Sequence, residues 1–164
     1  MNYICRIPTI EEMNKKWNYE IDHTDDVFNW TTWKVEAIKR AKQKQTISYY
    51  GFLDGEIICE TTAAIDSKIF PNYEDLIDDH TAYLFAFRTI DEYQGQGYFS
   101  KLFKYMIGDL KKRGYTRVTL GVEPTELKNK EIYTKYGFTK HIKRCVEKYP
   151  DGTQITVDYY SKDL

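Results

Sequence analysis

Apolar positions follow two periods along this chain, and the switches between them lay out its elements. Ala82-Tyr-Leu-Phe-Ala-Phe87 is a continuous apolar and aromatic run of strand length. Beyond it Leu102, Phe103, Met106, Ile107 and Leu110 recur every three or four residues, the spacing of a helix with one buried face. The stretch between holds Gly95 and Gly97, so a glycine-bearing turn from strand to helix is predicted there.

Upstream, Thr9-Ile10-Glu11-Glu12 has the form of a capping box, with Met13 and Trp17 continuing the apolar side of a first helix. A second helix is predicted from about Trp30 to Gln43, with Trp33, Ala37 and Ile38 inward. Thr46–Leu53 and Glu56–Ala64 flank Asp54-Gly55, a hairpin signal. Residues 66–79 carry Pro71-Asn72 and five acidic side chains. They are predicted to be a loop, either a solvated connection or a segment lying across a cleft.

Downstream, Lys111-Lys112-Arg113 and Gly114 close the central helix. A strand follows at Arg117–Val122, then a helix at about Glu126 to Tyr136 closed by Gly137. A last hairpin pairs Thr139–Lys148 with Thr153–Tyr160 around Pro150-Asp151-Gly152. The predicted order is helices, hairpin, strand, helix, strand, helix, hairpin. That is one mixed α/β domain over residues 1–164, with a βαβ unit at its centre.

Composition narrows the function. A net charge of −1, with Lys and Arg dispersed, argues against a nucleic-acid partner. No apolar run reaches the roughly 18 residues of a membrane span, and the first residues lack the apolar core of a secretory signal. Cys5, Cys59 and Cys145 lie apart in strand-like stretches, and His23, His80 and His141 are as scattered, so no metal site is expected. Buried, reduced thiols fit a cytoplasmic protein, a monomer or weak homodimer.

The chemistry then centres on the glycine turn. Backbone N–H groups at a helix start, with the positive end of the helix dipole, seat phosphate or pyrophosphate. No Lys-Ser or Lys-Thr follows the glycines, which excludes a P-loop, and Ser100 stands where a dinucleotide fingerprint needs its third glycine.

Two motifs together give the turn a context. Tyr93-Gln94-Gly95-Gln96-Gly97-Tyr98-Phe99 resembles the pyrophosphate loop of the GNAT family of acyl-CoA-dependent N-acetyltransferases. Ile132-Tyr133-Thr134-Lys135-Tyr136-Gly137-Phe138 is similar to that family's Leu-Tyr-x-x-x-Gly-Phe. The resemblance implies a GNAT-like fold: a central mixed, mostly antiparallel twisted sheet of about six to seven strands, with helices on both faces. It implies acetyl-CoA as co-substrate, no metal, and transfer of acetyl to a primary amine of a small molecule or peptide. A non-catalytic acyl-CoA-binding module on the same fold is the alternative.

The resemblance also assigns residues. Gln94 belongs to the loop, and the amides of Gly95, Gln96, Gly97, Tyr98, Phe99 and Ser100 would hold the pyrophosphate. The backbone of Phe87, Arg88 and Thr89 would pair with the pantetheine arm, Asn129 would contact it, and Tyr133 would give a proton to the CoA sulfur. The Arg88 side chain faces away from its neighbours' and has a structural role first. Phe99 stands where the family has Gly or Ala, and Glu126 where it often has Asn. The strand from Tyr83 to Thr89 carries no carboxylate. The general base is therefore Glu60, Asp66, His80 or a chain of waters.

Overall fold

The computed structural model describes residues 1–164. Its strands are β1 (Tyr3–Arg6), β2 (Thr46–Leu53), β3 (Glu56–Ala64), β4 (Thr81–Thr89), β5 (Arg117–Val122), β6 (Lys140–Lys148) and β7 (Gln154–Asp163). Its helices are α1 (Ile10–Asp22), α2 (Val27–Lys42), α3 (Tyr98–Lys112) and α4 (Leu127–Lys135). The seven strands form one open sheet in the order β1-β2-β3-β4-β5-β7-β6. Only β4 and β5 run parallel, joined through α3. This is the mixed, mostly antiparallel sheet that the resemblance implied.

Alternation along each strand divides the core between two faces. Tyr49 joins Ala82, Leu84 and the buried side of α3, whereas its neighbour Tyr50 joins Met13 of α1 and Phe52. On the first face Leu102, Phe103, Met106 and Leu110 of α3 are all buried, each adding about 1.5–3 kcal/mol of apolar transfer. On the second face lie α1, α2 and the segment from residue 66 to 79, whose Leu76 and Ile77 pack with Tyr83, Val157 and Tyr159.

Helix boundaries follow local chemistry. Thr9 Oγ1 accepts from Glu12 N at 3.1 Å and Glu12 Oε1 accepts from Thr9 N at 2.9 Å, completing the capping box of α1. The second helix starts a turn earlier than predicted, because Asp26 caps it by accepting from Asn29 N. Its inward residues Trp33, Ala37 and Ile38 are only half-buried, since α2 stands off the sheet over a cavity. The predicted order opens on helices and omits β1, although Cys5 stands in a strand-like stretch. That strand has four residues and exists by pairing with β2, a partner more than forty residues away. Cys59 is buried as expected, but Cys5 and Cys145 are half-buried, because β1 and β6 are the two edge strands.

Candidate active site

The centre of the sheet is split. Pairing of β4 with β5 runs from Thr81↔Arg117 to Leu84↔Leu120 and stops. From Phe85 to Thr89, β4 keeps only its partner β3, with a register shift between Glu60 and Thr62. Beside that shift Ala86 takes φ 60°, a left-handed conformation rare outside glycine. The other end of β5 continues along β7 to Val122↔Asp158. The edge of β4 from Phe85 to Thr89 that faces β5 is therefore unpaired, and it includes the three residues assigned to pantetheine.

At the mouth of this split the glycine turn leads into α3. Gly95 and Gly97 adopt φ 74° and 85°, and a Cβ on either would point into open space. Gly97 is the N-cap of α3 and supplies no capping side chain. None of the six amides from Gly95 to Ser100 donates to another group of the chain. The loop's polar side chains turn inward instead. Gln94 Nε2 donates to Thr89 O at 3.1 Å and to Asp91 Oδ1 at 3.2 Å, and Gln96 Nε2 donates to Glu92 O at 2.9 Å. Both glutamines thus brace the loop, leaving its amides outward. Tyr3 Oη donates to Tyr98 O at 2.9 Å, which ties edge strand β1 to the first turn of α3.

The aromatic residues assigned from the sequence meet here. The Phe87 ring lies 5.4 Å from that of Phe99 and 5.5 Å from that of Tyr133. Phe99, bulky where the family has Gly or Ala, is thereby housed among Phe87, Phe103 and Tyr136. Ser100 Oγ and Tyr136 Oη share a hydrogen bond of 2.9 Å. Burial, and secondarily the charge of Glu126, pushes the Tyr133 phenol up to about 12. Asn129 sits one turn before Tyr133 on α4, its amide donating to Glu126 Oε2 at 2.7 Å.

On the second face a cavity of about 760 Å³ opens against β4 at Tyr83, Phe85, Ala86 and Arg88. Residues 69–72 form part of its wall, so the acidic segment does lie across a cleft. Of the three base candidates only Glu60 lines it. Asp66 caps a short turn by accepting from Lys68 N, and His80 is exposed at the far end of β4 beside Asp78 and Arg117. Five residue steps along the strand, from His80 to Phe85 where the split begins, span about 17 Å, which separates His80 from the split.

Glu60 is buried in an ion-pair network. Arg88 Nη1 donates to its Oε1 at 2.7 Å, and Lys16 Nζ is 3.6 Å from Oε2, which receives no hydrogen bond. Desolvation raises its pKa, against the opposing pull of Arg88 and Lys16. The structural role expected for the Arg88 side chain is met, and its guanidinium also lies 5.1 and 4.6 Å from the rings of Trp17 and Trp30.

Sequence reasoning missed Glu147. This β6 residue lines the cleft, accepts from Tyr159 Oη at 2.7 Å, and is raised in pKa by burial. Val146-Glu147-Lys148 reads as an ordinary solvent-facing strand, and only the fold brings it beneath Tyr159.

The family model for the acetyltransferase (GNAT) family matches residues 7–138. Among solved structures, the chain is similar to an N-acetyltransferase from Staphylococcus aureus Mu50, at 15% identity over 99% of both chains, TM-score 0.71. It is also similar to yncA of Salmonella typhimurium, solved with its cofactor acetyl-CoA, at 12% identity over 100% of this chain and 95% of that one, TM-score 0.69. The PaiA N-acetyltransferase of Thermoplasma acidophilum, in complex with coenzyme A, matches at 17% identity over 100% of both chains, TM-score 0.63. At such identities the likeness to these structures speaks for the fold alone. Among curated proteins, none is matched by the sequence.

Proposed function

The chain belongs to the GNAT acetyltransferase family, and on that premise we propose that it moves the acetyl group of acetyl-CoA onto a primary amine held in the cleft beneath α2. The observation that carries this reading is the adjacency of six unpaired loop amides, an unpaired stretch of β4 and the Tyr133 phenol.

Pyrophosphate on the amides from Gly95 to Ser100 meets six donors and the positive end of the α3 dipole. Pantetheine laid along Phe87, Arg88 and Thr89 adds a short strand to the open edge of β4, with Asn129 beside it. This carries the thioester into the split near Ala86, where the cleft of the second face begins. Holding amine and thioester in one site supplies the orientation that a bimolecular encounter lacks.

The amine nitrogen attacks the thioester carbon, the new C–N bond forms, and the C–S electrons leave with sulfur. Tyr133 donates to that sulfur. A phenol near 12 is a weaker acid than a thiol near 8.5. Tyr133 therefore keeps its proton and stabilises the thiolate as a hydrogen-bond donor. The proton lost by the amine passes to a carboxylate of the cleft.

Free-thiol release from acetyl-CoA with a panel of amines tests this, alongside thermal unfolding with CoA, ATP and NAD. Turnover with at least one amine, and stabilisation by CoA alone, are expected; CoA at 100 times its dissociation constant adds about 2.7 kcal/mol. Stabilisation by CoA without turnover on any amine would instead favour a non-catalytic acyl-CoA-binding module. No stabilisation by CoA would end the proposal.

A further inference from the structure

The charges around the cleft are unevenly settled. Arg88 is paired with Glu60 at 2.7 Å, and Arg40 lies 3.6 Å from Glu36 and donates to Ile69 O. Both charges are met by partners within the chain. Glu147, by contrast, has Tyr159 Oη as its hydrogen-bond donor and no Lys, Arg or His in ion-pair range. The neighbouring field is also negative: after burial, the charges of Glu123, Glu147, Glu126 and Asp26 raise the Tyr149 phenol. Much of the remaining wall is aromatic, with Trp33, Tyr50, Phe70 and Phe85 among its residues.

The cleft is also roofed. Trp33 meets Tyr149 edge-on with centroids 5.1 Å apart, and Asn29 Oδ1, buried, accepts from Asp151 N at 3.0 Å. These contacts fasten α2 to the tip of the β6–β7 hairpin, while Arg40 fastens its other end to residues 69–70. A roofed cleft of about 760 Å³ suits a compact molecule. An extended peptide would have to thread under α2.

Building on the acetyltransferase reading, we infer that the acceptor is a primary monoamine carried on a flat apolar body, with Glu147 receiving its nitrogen. The body lies against the aromatic walls, and the ammonium meets the one unpaired carboxylate, where cation and ring faces attract as well. Glu147 first takes one proton from the ammonium, which frees the nitrogen lone pair. That pair then forms the bond to the acyl carbon, the C–S pair departs with sulfur, and the second N–H proton leaves to solvent as the amide forms. A second ammonium, as in a polyamine, finds no further unpaired carboxylate in the cleft wall. The unpaired cation there is the exposed Lys148, and the carboxylate of an amino acid, one carbon from its own amine, would sit against Glu147 itself.

The test uses the full chain with acetyl-CoA and four probes: 2-phenylethylamine, spermidine, phenylalanine and a short peptide. We expect kcat/KM for 2-phenylethylamine to exceed each of the others at least tenfold. Binding without acetyl-CoA, read by tryptophan fluorescence, should favour 2-phenylethylamine over neutral 2-phenylethanol at least tenfold. Glu147→Gln should reduce that preference to within threefold while leaving the thermal shift by CoA intact. Preference for spermidine, phenylalanine or the peptide would overturn the inference. So would equal binding of amine and alcohol by the wild type, which needs no variant and no turnover. If CoA still binds in those cases, only the acceptor class falls. Absence of both CoA binding and turnover would instead sink the acetyltransferase reading beneath it.

Discussion

Two side chains of the proposed site differ in how far the sequence announced them. Tyr133 was legible because Gly137 and Phe138 follow it at fixed spacing, and the structure sets it against Phe87 at the split. As a hydrogen-bond donor to sulfur it should matter to rate and little to affinity. Tyr133→Phe is expected to lower turnover about 10²-fold and to leave the thermal shift by CoA unchanged; wild-type turnover in the variant would remove the role. Glu147 was illegible because its burial comes from Tyr159 and the roof under α2, contacts that no local pattern records. Its raised pKa has a consequence for stability. A carboxyl whose folded pKa lies above its unfolded value binds its proton more tightly in the native state. The native state is then penalised progressively as pH rises through the folded pKa. Glu147→Gln removes that penalty, while its amide oxygen can still accept from Tyr159. Urea unfolding at pH 5 and pH 8 should show the variant gaining on the wild type at the higher pH, and a loss that grows with pH would refute this.

At the level of elements, periodicity found four helices and six of the seven strands. The glycine turn was recognised for its donors, but the bracing by Gln94 and Gln96 was not, because either side chain could equally have faced a ligand. Gly97→Asp puts a carboxylate at the anion seat while occupying a left-handed position that Asp tolerates better than most residues. The thermal shift by CoA should disappear with the fold intact by circular dichroism; a full shift would exclude the loop from the CoA site. The kink in β4 was invisible in Ala82–Phe87, since nothing in an alanine announces a positive φ. Ala86→Gly relieves a left-handed strain of about 1–2 kcal/mol and loosens the unfolded chain by about 0.4–1 kcal/mol. Its unfolding free energy in urea should therefore equal that of wild type or exceed it by up to about 1.6 kcal/mol. Ala86→Val, β-branched at the same φ, should cost more than about 1 kcal/mol and depress turnover by deforming the split.

For the molecule as a whole, acid stability rests on carboxylates held below their ordinary range. Arg6 grips Glu12 through two bonds of 2.7 Å. This hydrogen bonding, with help from Thr9, holds the Glu12 carboxyl at about 2. A depressed folded pKa gives stability that is present above the unfolded value, about 4.3, and is lost as pH falls toward 2. Arg6→Met should therefore be less stable than wild type at pH 7, with the gap closing between pH 4.3 and 2 in urea titrations; a gap independent of pH would assign the loss to packing on Phe52. Asp158, held well below its usual range by Arg144 and His141, acts in the same sense on β7.

The roof over the cleft ties Asn29 to Asp151, across 122 positions of the chain. The donors of the anion seat, by contrast, come from one continuous stretch, Gly95 to Ser100, with β3 and β4 behind it. On a ribosome the amides of that turn are therefore made, and can be set in place by their neighbours, before β6 and β7 exist. The proposed amine side must wait for Glu147, Tyr149 and Tyr159 to be made and fold back against the earlier α2. During translation the stretch proposed to seat the donor precedes the residues proposed to choose the acceptor, and the cleft is complete only once β7 has been added.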